Sequence, residues 1–525
     1  MNIDINKLEN RSKPLLWLAV IAWAVSVGYF NIARELTGGE CLWALAGKHH
    51  VVDGFQITKG GTVQSWSVNP PQFYPSHPPL QGWYLALWYW LLGWSHVTTR
   101  LAMLTIWYAA CFGVGWLALE HTKSLSAGLI ASLFFLSFPA TWTWGTTDDL
   151  TNLNASLMIL GYVTYVFWEK SPAQMWRYLL MLVVFSLAAL ADWPGFVCLP
   201  VLFLVAFFFR HPRIIVIKLF IGAMWIILFF CSVFYYLSLF GHGPADLLGS
   251  LLQKSGTGGE SLLSIPLYWI ARGFIYLLPT GTVLLLLGIV RSLKRLWRQG
   301  IDSLSFPEIA MISFAVANVG VFIFLKEWTS VIAQTILYWV PLASFWSALV
   351  FHRWISDEPS SGRKRGWRVP LVLSTQVLLA ILVIIGLTAK QRLVASDAEV
   401  GAWLKGQLRD ETPLSIYVDH HAGDTNPVSF RYWTRREVHA VVKTELESTQ
   451  DPYLFLPPRL AQRYESQGGF EMIGKYARPT ESKTNFGEVL IKLYSRVFPK
   501  RQKFLTPHSQ YEGWSLLRRA KMEDK

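Results

Sequence analysis

Eleven long apolar stretches leave this chain one kind of architecture. They fall at 14–31, 101–119, 125–142, 150–168, 178–191, 195–209, 214–240, 274–290, 307–325, 335–351 and 369–388. Each reaches or approaches the roughly 20 residues a helix needs to cross a hydrocarbon core about 30 Å thick. In lipid every backbone N–H and C=O must be satisfied within the protein, so runs of this kind fold as helices. With 52% hydrophobic and 15% charged residues, the 525-residue chain cannot present the surface of a soluble enzyme. A twelfth segment, Leu80 to Trp94, is about fifteen residues long, carries Trp83, Trp88, Trp90 and Trp94, and follows Pro78-Pro79. That aromatic density belongs to the membrane interface, and the segment is expected to lie along the membrane.

Topology follows from charge. Lys7, Arg11 and Lys13 precede the first run with no small-residue cleavage site after it, which predicts an uncleaved anchor with a cytoplasmic N-terminus. If Leu80–Trp94 does not cross, the basic loops 170–177, 210–213, 291–298 and 352–368 all fall inside; if it crosses, all fall outside. The first choice obeys the positive-inside rule. It also accounts for the net charge of +13 without a nucleic-acid partner, since no basic groove interleaved with stacking aromatics is present.

The expected fold class is a polytopic α-helical membrane protein of about 11 transmembrane helices, in a bacterial cytoplasmic (inner) membrane. Residues 1–389 form its transmembrane domain, with interfacial helices in a first outer loop at 32–100. Residues 390–525 form a small extracytoplasmic α/β domain with a basic tail. In that domain Leu414–Val418 and Tyr453–Leu456 read as strands and Asp397–Leu408 and Pro458–Tyr464 as helices, with turns at Pro413, Gly423–Pro427 and Gly468-Gly469. Cys41, Cys111, Cys198 and Cys231 form no disulfide framework or zinc pattern.

In this topology several ionisable residues gather on the outer side. Glu40 opens an amphipathic stretch and can be a plain first-turn helix charge. Asp148 and Asp149 precede the run from Leu150; one suffices as a cap, and consecutive helical positions diverge by about 100°, so one of the two can face a shared cleft. His77 is held extended by Pro78-Pro79. Asp192 lies in the turn Ala191-Asp192-Trp193-Pro194, where solvation is an adequate explanation for it and lining a site is the alternative, and Lys59, Arg100 and Lys326 could neutralise phosphate oxygens. A GxxxxGK[ST] phosphate loop and a Gly-x-Ser-x-Gly elbow are absent, and the acidic residues show no metal-ligand spacing, although they could hold a divalent ion. The stretch Gly256-Thr257-Gly258-Gly259-Glu260 reads as a flexible loop or lid.

In order, Glu40 with its helix, His77-Pro78-Pro79-Leu80, Leu92-Gly93-Trp94-Ser95 to Arg100-Leu101, Thr147-Asp148-Asp149-Leu150, and Tyr338-Trp339-Val340-Pro341-Leu342 resemble the GT-C glycosyltransferases, closest to the aminoarabinose transferase and protein mannosyltransferase branch. The resemblance implies a first-loop carboxylate at Glu40, His77 as the residue before the prolines, and a second-loop acid at Asp148 or Asp149. It departs at Gly39-Glu40, where the family often has Asp-Glu.

The expectation is a glycosyltransferase that moves a monosaccharide from a polyprenyl-phosphate donor to an extracytoplasmic acceptor. Glu40, Asp148 and Asp149 would be base and acceptor-orienting acid in either order, and His77, Lys59, Arg100 and Lys326 would face the donor phosphate. A transporter or flippase for a lipid-linked sugar is the alternative, but it calls for inverted repeats that the sequence does not show.

Overall fold

The computed structural model describes residues 5–32, 34, 36, 39–52, 77–147, 150–208, 212–238, 244–245, 249, 269–299, 304–325, 329, 333–356, 374–384, 397–408, 413–417, 427–435, 438–441, 446, 449–467, 469–477 and 513–519. The glycine-rich stretch at 256–260 lies outside them. The chain forms two compact units: Met1–Ala33, Pro75–Tyr84 and Val97–Ile384 in the first, Arg34–Tyr74, Leu85–His96 and Ile385–Lys525 in the second.

The first unit is all helical. Its elements are α1 (Ile5–Ile32), the start of α3 (Leu80–Leu92), α4 (His96–Thr122), α5 (Leu125–Ser137), α6 (Pro139–Trp144), α7 (Leu150–Glu169), α8 (Met175–Ala191), α9 (Gly195–Phe208) and α10 (Arg213–Ser238). After these come α11 (Leu278–Gln299), α12 (Phe306–Phe324), a 3-10 turn (Ala333–Trp339), α13 (Val340–Ser356) and α14 (Ser374–Ile384). Among the described residues seven helices are long and apolar enough to cross a membrane, and four shorter apolar helices accompany them. Within the described residues, each of the eleven apolar runs contains helix.

The run 125–142 is broken in two. Phe138 precedes Pro139, and the proline ring disfavours the helical region for the residue before it, so Phe138 is extended (φ −67°, ψ 132°). The carbonyls this break frees are recaptured locally: Thr141 Oγ1 donates to Phe135 O at 2.5 Å and Trp142 Nε1 to Leu136 O at 2.8 Å. A break inside an apolar bundle survives on such internal partners.

Side-chain bonds group the helix ends. At one end of the bundle His121 of α4 meets Ser305 (2.6 Å), and Arg295 of α11 grips the buried Glu308 of α12 through both carboxylate oxygens (2.6 and 3.2 Å). Glu120 pairs with Lys170 at the same end of α4. At the other end Thr146 receives both neighbours: Arg100 Nη1 donates to its carbonyl at 2.8 Å, and its hydroxyl donates to Asn31 Oδ1 at 2.8 Å. Asn31 closes α1 and Arg100 opens α4, so α4 begins at the end of the bundle where α1 finishes. The intervening α3, 13 residues or about 20 Å of helix, does not carry the chain across.

The second unit contains a five-stranded sheet in the order β2-β1-β3-β5-β4, from β1 (Leu414–Tyr417), β2 (Val438–Val441), β3 (Tyr453–Leu456), β4 (Phe470–Lys475) and β5 (Ser515–Arg519). β1 runs parallel to β2 and β3; β5 is antiparallel to β3 and β4. Alternation at a period of two sends Leu414, Ile416 and Phe455 to one face, against Val400 and Leu404 of α15 (Asp397–Gln407) and Phe430 of α16 (Pro427–Thr434). Leu454, Leu456 and Leu517 face Ala461 and Tyr464 of α17 (Pro458–Ser466) on the other.

Helix α2 (Gly39–Val52) and the end of α3 belong to this unit, and α2 packs against α16. Gly47 makes the approach to α3 feasible, since a Cβ there would sit 2.8 Å from Leu85 Cβ. Trp433 Nε1 donates to Leu36 O at 3.1 Å, and Trp94 meets Tyr432 edge-on at 5.3 Å. The two units part at Ile384/Ile385, and α2 with the end of α3 joins the C-terminal residues in one unit.

Candidate functional site

The site is built on a buried polar seam where the apolar bundle should tolerate least polarity. Thr98, Thr99, Arg100, Thr146, Thr151, Asn152, Asn154 and Asp192 are all buried at the Thr146 end of the first unit. Polar groups at such depth must be bonded or they are costly, and here the bonds form a chain. His77 Nδ1 lies 2.8 Å from Asp192 Oδ1, which also accepts the Trp193 N–H at 2.9 Å. Since a carboxylate only accepts, the hydrogen of this contact sits on Nδ1. The Asp192 carbonyl accepts from Asn154 Nδ2 (3.2 Å), which also reaches the Ala188 carbonyl (2.7 Å) at the end of α8. Asn154 Oδ1 then accepts the Tyr338 hydroxyl at 2.8 Å, and Asn318 Nδ2 donates to Tyr338 O at 3.0 Å.

Local sequence explains why the chain can turn so tightly there. Pro194 cannot donate, and Gly195 sits so close to Ala188 that a Cβ would collide with that residue's carbonyl. Asp192, only 1% exposed, is therefore not a solvated turn residue. This corrects the expectation from sequence: its carboxylate has a histidine and a backbone amide as partners in place of water.

A second set of bonds pins the turn before the adjacent aspartates. Besides Arg100 and Asn31 on Thr146, Asn152 Nδ2 donates to Gly145 O at 2.7 Å, and Thr147 Oγ1 donates to Trp144 O at 2.7 Å. Arg100 has no exposed surface, and its guanidinium holds this turn. Asp148 and Asp149 themselves lie outside the described residues, as do Lys59 and Lys326. Glu40 is the second residue of α2, in the second unit.

His77 and Asp192, 115 residues apart and assigned different roles in the sequence, are thus joined. Asn31, Asn154, Asn318 and Tyr338 received no role from sequence. The readable signal was polarity inside apolar runs: two asparagines in Asn152-Leu153-Asn154 have no place facing lipid. Among the described residues no group of three or more His, Cys, Asp or Glu comes together as a metal site. In the second unit Asp451 accepts from Ser415 and pairs with His439 Nδ1 at 2.7 Å, but Ser415 bonds Asp451 and Thr449, not the histidine. That order fastens β1, β2 and the start of β3; it does not activate a serine.

No protein-family profile and no curated protein sequence matches the chain. Solved structures do. ArnT from Cupriavidus metallidurans bound to undecaprenyl phosphate superimposes with a TM-score of 0.59 at 14% identity, over 88% of this chain and 96% of that one. The same protein in the apo state gives 0.57 at 13% identity, over 87% and 95%. The archaeal oligosaccharyltransferase AglB from Archaeoglobus fulgidus, in complex with an inhibitory peptide and a dolichol-phosphate, gives 0.57 at 10% identity, over 97% and 88%. At such identities the likeness is one of fold. The chain shares the fold of these membrane proteins and is itself a polytopic helical membrane protein with a small C-terminal sheet.

Proposed function

We propose that the chain is a membrane glycosyltransferase that moves a monosaccharide from a polyprenyl-phosphate donor to an acceptor on the extracytoplasmic side. The observation that carries this reading is the likeness, over nearly the whole of both chains, to a structure that holds undecaprenyl phosphate. A polyprenyl-linked sugar phosphate brings its own leaving group, so the protein has two tasks. A carboxylate among Glu40, Asp148 and Asp149 removes the acceptor proton as its oxygen or nitrogen bonds to the anomeric carbon. The bond from that carbon to the phosphate oxygen breaks, the electron pair leaves with polyprenyl phosphate, and the configuration inverts.

Cationic groups then stabilise the departing charge. His77 is the proposed phosphate contact, with Asp192 a positioning residue that fixes the imidazole tautomer. Arg100 is a positioning residue through its hold on the Gly145–Thr147 turn, and Lys59 and Lys326 are further candidates for the phosphate. A divalent metal among the carboxylates would add Lewis-acid assistance.

The test is reconstitution with labelled polyprenyl-phosphate sugars, alongside mass spectrometry of envelope lipids and glycans from cells with and without the protein. Glu40→Gln, Asp148→Asn and Asp149→Asn are then assayed singly. At least one is expected to abolish transfer, and activity retained in all three removes the mechanism. Loss of activity in EDTA with recovery on adding Mg²⁺ or Mn²⁺ would establish the metal.

A further inference from the structure

Two cations converge on one indole in the second unit, and among the described residues neither has an acid beside it. Lys48 Nζ of α2 lies 4.2 Å from the centroid of the Trp94 ring, and Arg435 Cζ lies 5.2 Å from the same centroid. Among the described residues neither side chain has a carboxylate within ion-pair distance, whereas Arg295, Arg518 and Lys170 all do. The ammonium is half-buried, and its pKa is lowered first by that burial and then by the charge of Arg435. Like charges held together without a counter-ion are an unfavourable arrangement that a bound anion would relieve.

The backbone adds an independent sign. Arg435 follows the last residue of α16 with φ +58°, the left-handed conformation in which glycine or asparagine is at ease and a long side chain is not. An arginine kept there puts its guanidinium beside Trp94, whose indole is steadied edge-on by Tyr432. Lys123 takes the same φ after α4, but there the cation sits beside Glu120, whereas at Arg435 it sets a second cation beside Lys48 and Trp94.

We propose that Lys48, Arg435 and Trp94 form a binding subsite for a phosphate group. The planar guanidinium offers paired N–H donors to two oxygens, the ammonium meets a third, and the indole wall orients both. Two positive charges match the charge of a phosphate monoester better than that of a carboxylate. The subsite stands apart from the transfer reaction proposed above and does not depend on it. A phospholipid headgroup and a soluble phosphate share the chemistry, and the experiment separates them.

The full-length protein is placed in phosphatidylcholine nanodiscs and pulsed with an amine-acylating reagent, and modification of Lys48 is quantified by mass spectrometry, with exposed Lys123 as the reference. One arm titrates inorganic phosphate; the other replaces the lipid with phosphatidylglycerol and omits phosphate. Protection of Lys48 by about threefold at twice the half-saturating concentration is expected for a soluble anion. Protection in the phosphatidylglycerol arm alone assigns the site to a headgroup. Arg435→Asn, which suits the left-handed backbone, and Trp94→Phe, which keeps an aromatic ring, should each remove most of that protection. Unchanged Lys48 modification in both arms, or full protection persisting in Arg435→Asn, would overturn the proposal.

Discussion

Asp192 permits a graded test of the polar seam, because the two hydrogen bonds its carboxylate accepts can be removed together or weakened. Its carboxylate accepts from His77 Nδ1 and from the Trp193 N–H, at 2.8 and 2.9 Å, in a setting that is 1% exposed. Asp192→Asn keeps an oxygen able to accept both bonds and loses the charge. A charge-assisted hydrogen bond contributes about 1.5–3 kcal/mol and a neutral one about 0.5–1.5, so each bond weakens by about 1 kcal/mol and the pair by about 2 kcal/mol. Asp192→Ala takes the acceptor away from the half-buried His77 imidazole and from the buried Trp193 amide, at about 1–3 kcal/mol each, for a total of about 3 kcal/mol or more. The assay is thermal unfolding in detergent, followed by labelling of buried thiols with a fluorogenic maleimide. Cys198 of α9, one turn beyond Pro194, is fully buried, and Cys231 is exposed and is replaced by Ser to lower the background. The midpoint should fall in the order wild type, Asn, Ala, with Ala the larger loss from wild type. If the alanine variant melts within a degree of wild type, or if Asn and Ala are equal, the two bonds do not hold the turn. In transfer assays Asp192→Asn should lower the rate about fivefold if about 1 kcal/mol of His77 orientation is lost.

Arg295→Ala should destabilise by about 3–5 kcal/mol in the same melt, because it leaves Glu308 buried without its two-point partner; Arg518→Ala, at an exposed pair with Glu471, should leave the midpoint unchanged. Tyr338→Phe orphans Asn154 Oδ1 and should cost about 1–3 kcal/mol, and Asn154→Ala on top of it should cost less than its effect alone, a coupling that a double-mutant cycle reads directly. Lys48 loses its proton more readily than an ordinary lysine of pKa 10.5, so its acylation should switch on at lower pH, and Arg435→Asn should move that midpoint back up. The sign for folding is the same: the unfolded chain binds the Lys48 proton more tightly, so this group opposes folding at neutral pH and stops doing so as pH rises towards 10.5.

The membrane-embedded fold was legible because lipid imposes one rule on every span, and eleven apolar runs obeying it could be counted. The break at Phe138-Pro139 was overlooked inside one run although the proline announced it. In the second unit β1, β3 and the helices at 397 and 458 were read correctly, since buried central strands are continuous apolar runs. β2, β4 and β5 were missed for a physical reason. β4 is an edge strand whose Glu471, Met472 and Lys475 are exposed, β5 ends in Arg518-Arg519, and β2 is four residues long with a histidine at its second position. Edge and short strands carry little of the alternation on which such a reading depends.

Of the charges singled out in the sequence, His77, Arg100 and Asp192 fall in the polar seam, whose uncharged members did not show. Carboxylates in an apolar chain attract notice because each costs free energy in lipid, whereas Asn31, Asn154 and Tyr338 are tolerated singly in many helices and reveal themselves only by meeting. Yet the scaffold constrains the chemistry more tightly. Thr146 binds the start of α4 to the end of α1, and Asn154 binds the α8–α9 turn to the 3-10 turn before α13. Each of these hydrogen bonds joins segments far apart in sequence, so no local change at one of them is absorbed locally. A reaction that must hold an acceptor, a sugar and a phosphate in line needs its supporting turns fixed to within about 0.5 Å, and a cross-linked polar seam inside a greasy bundle supplies that rigidity. This predicts that substitutions at Asn31 or Asn154 will impair transfer while leaving the protein folded at assay temperature, and equal losses of folded protein and of activity would count against it.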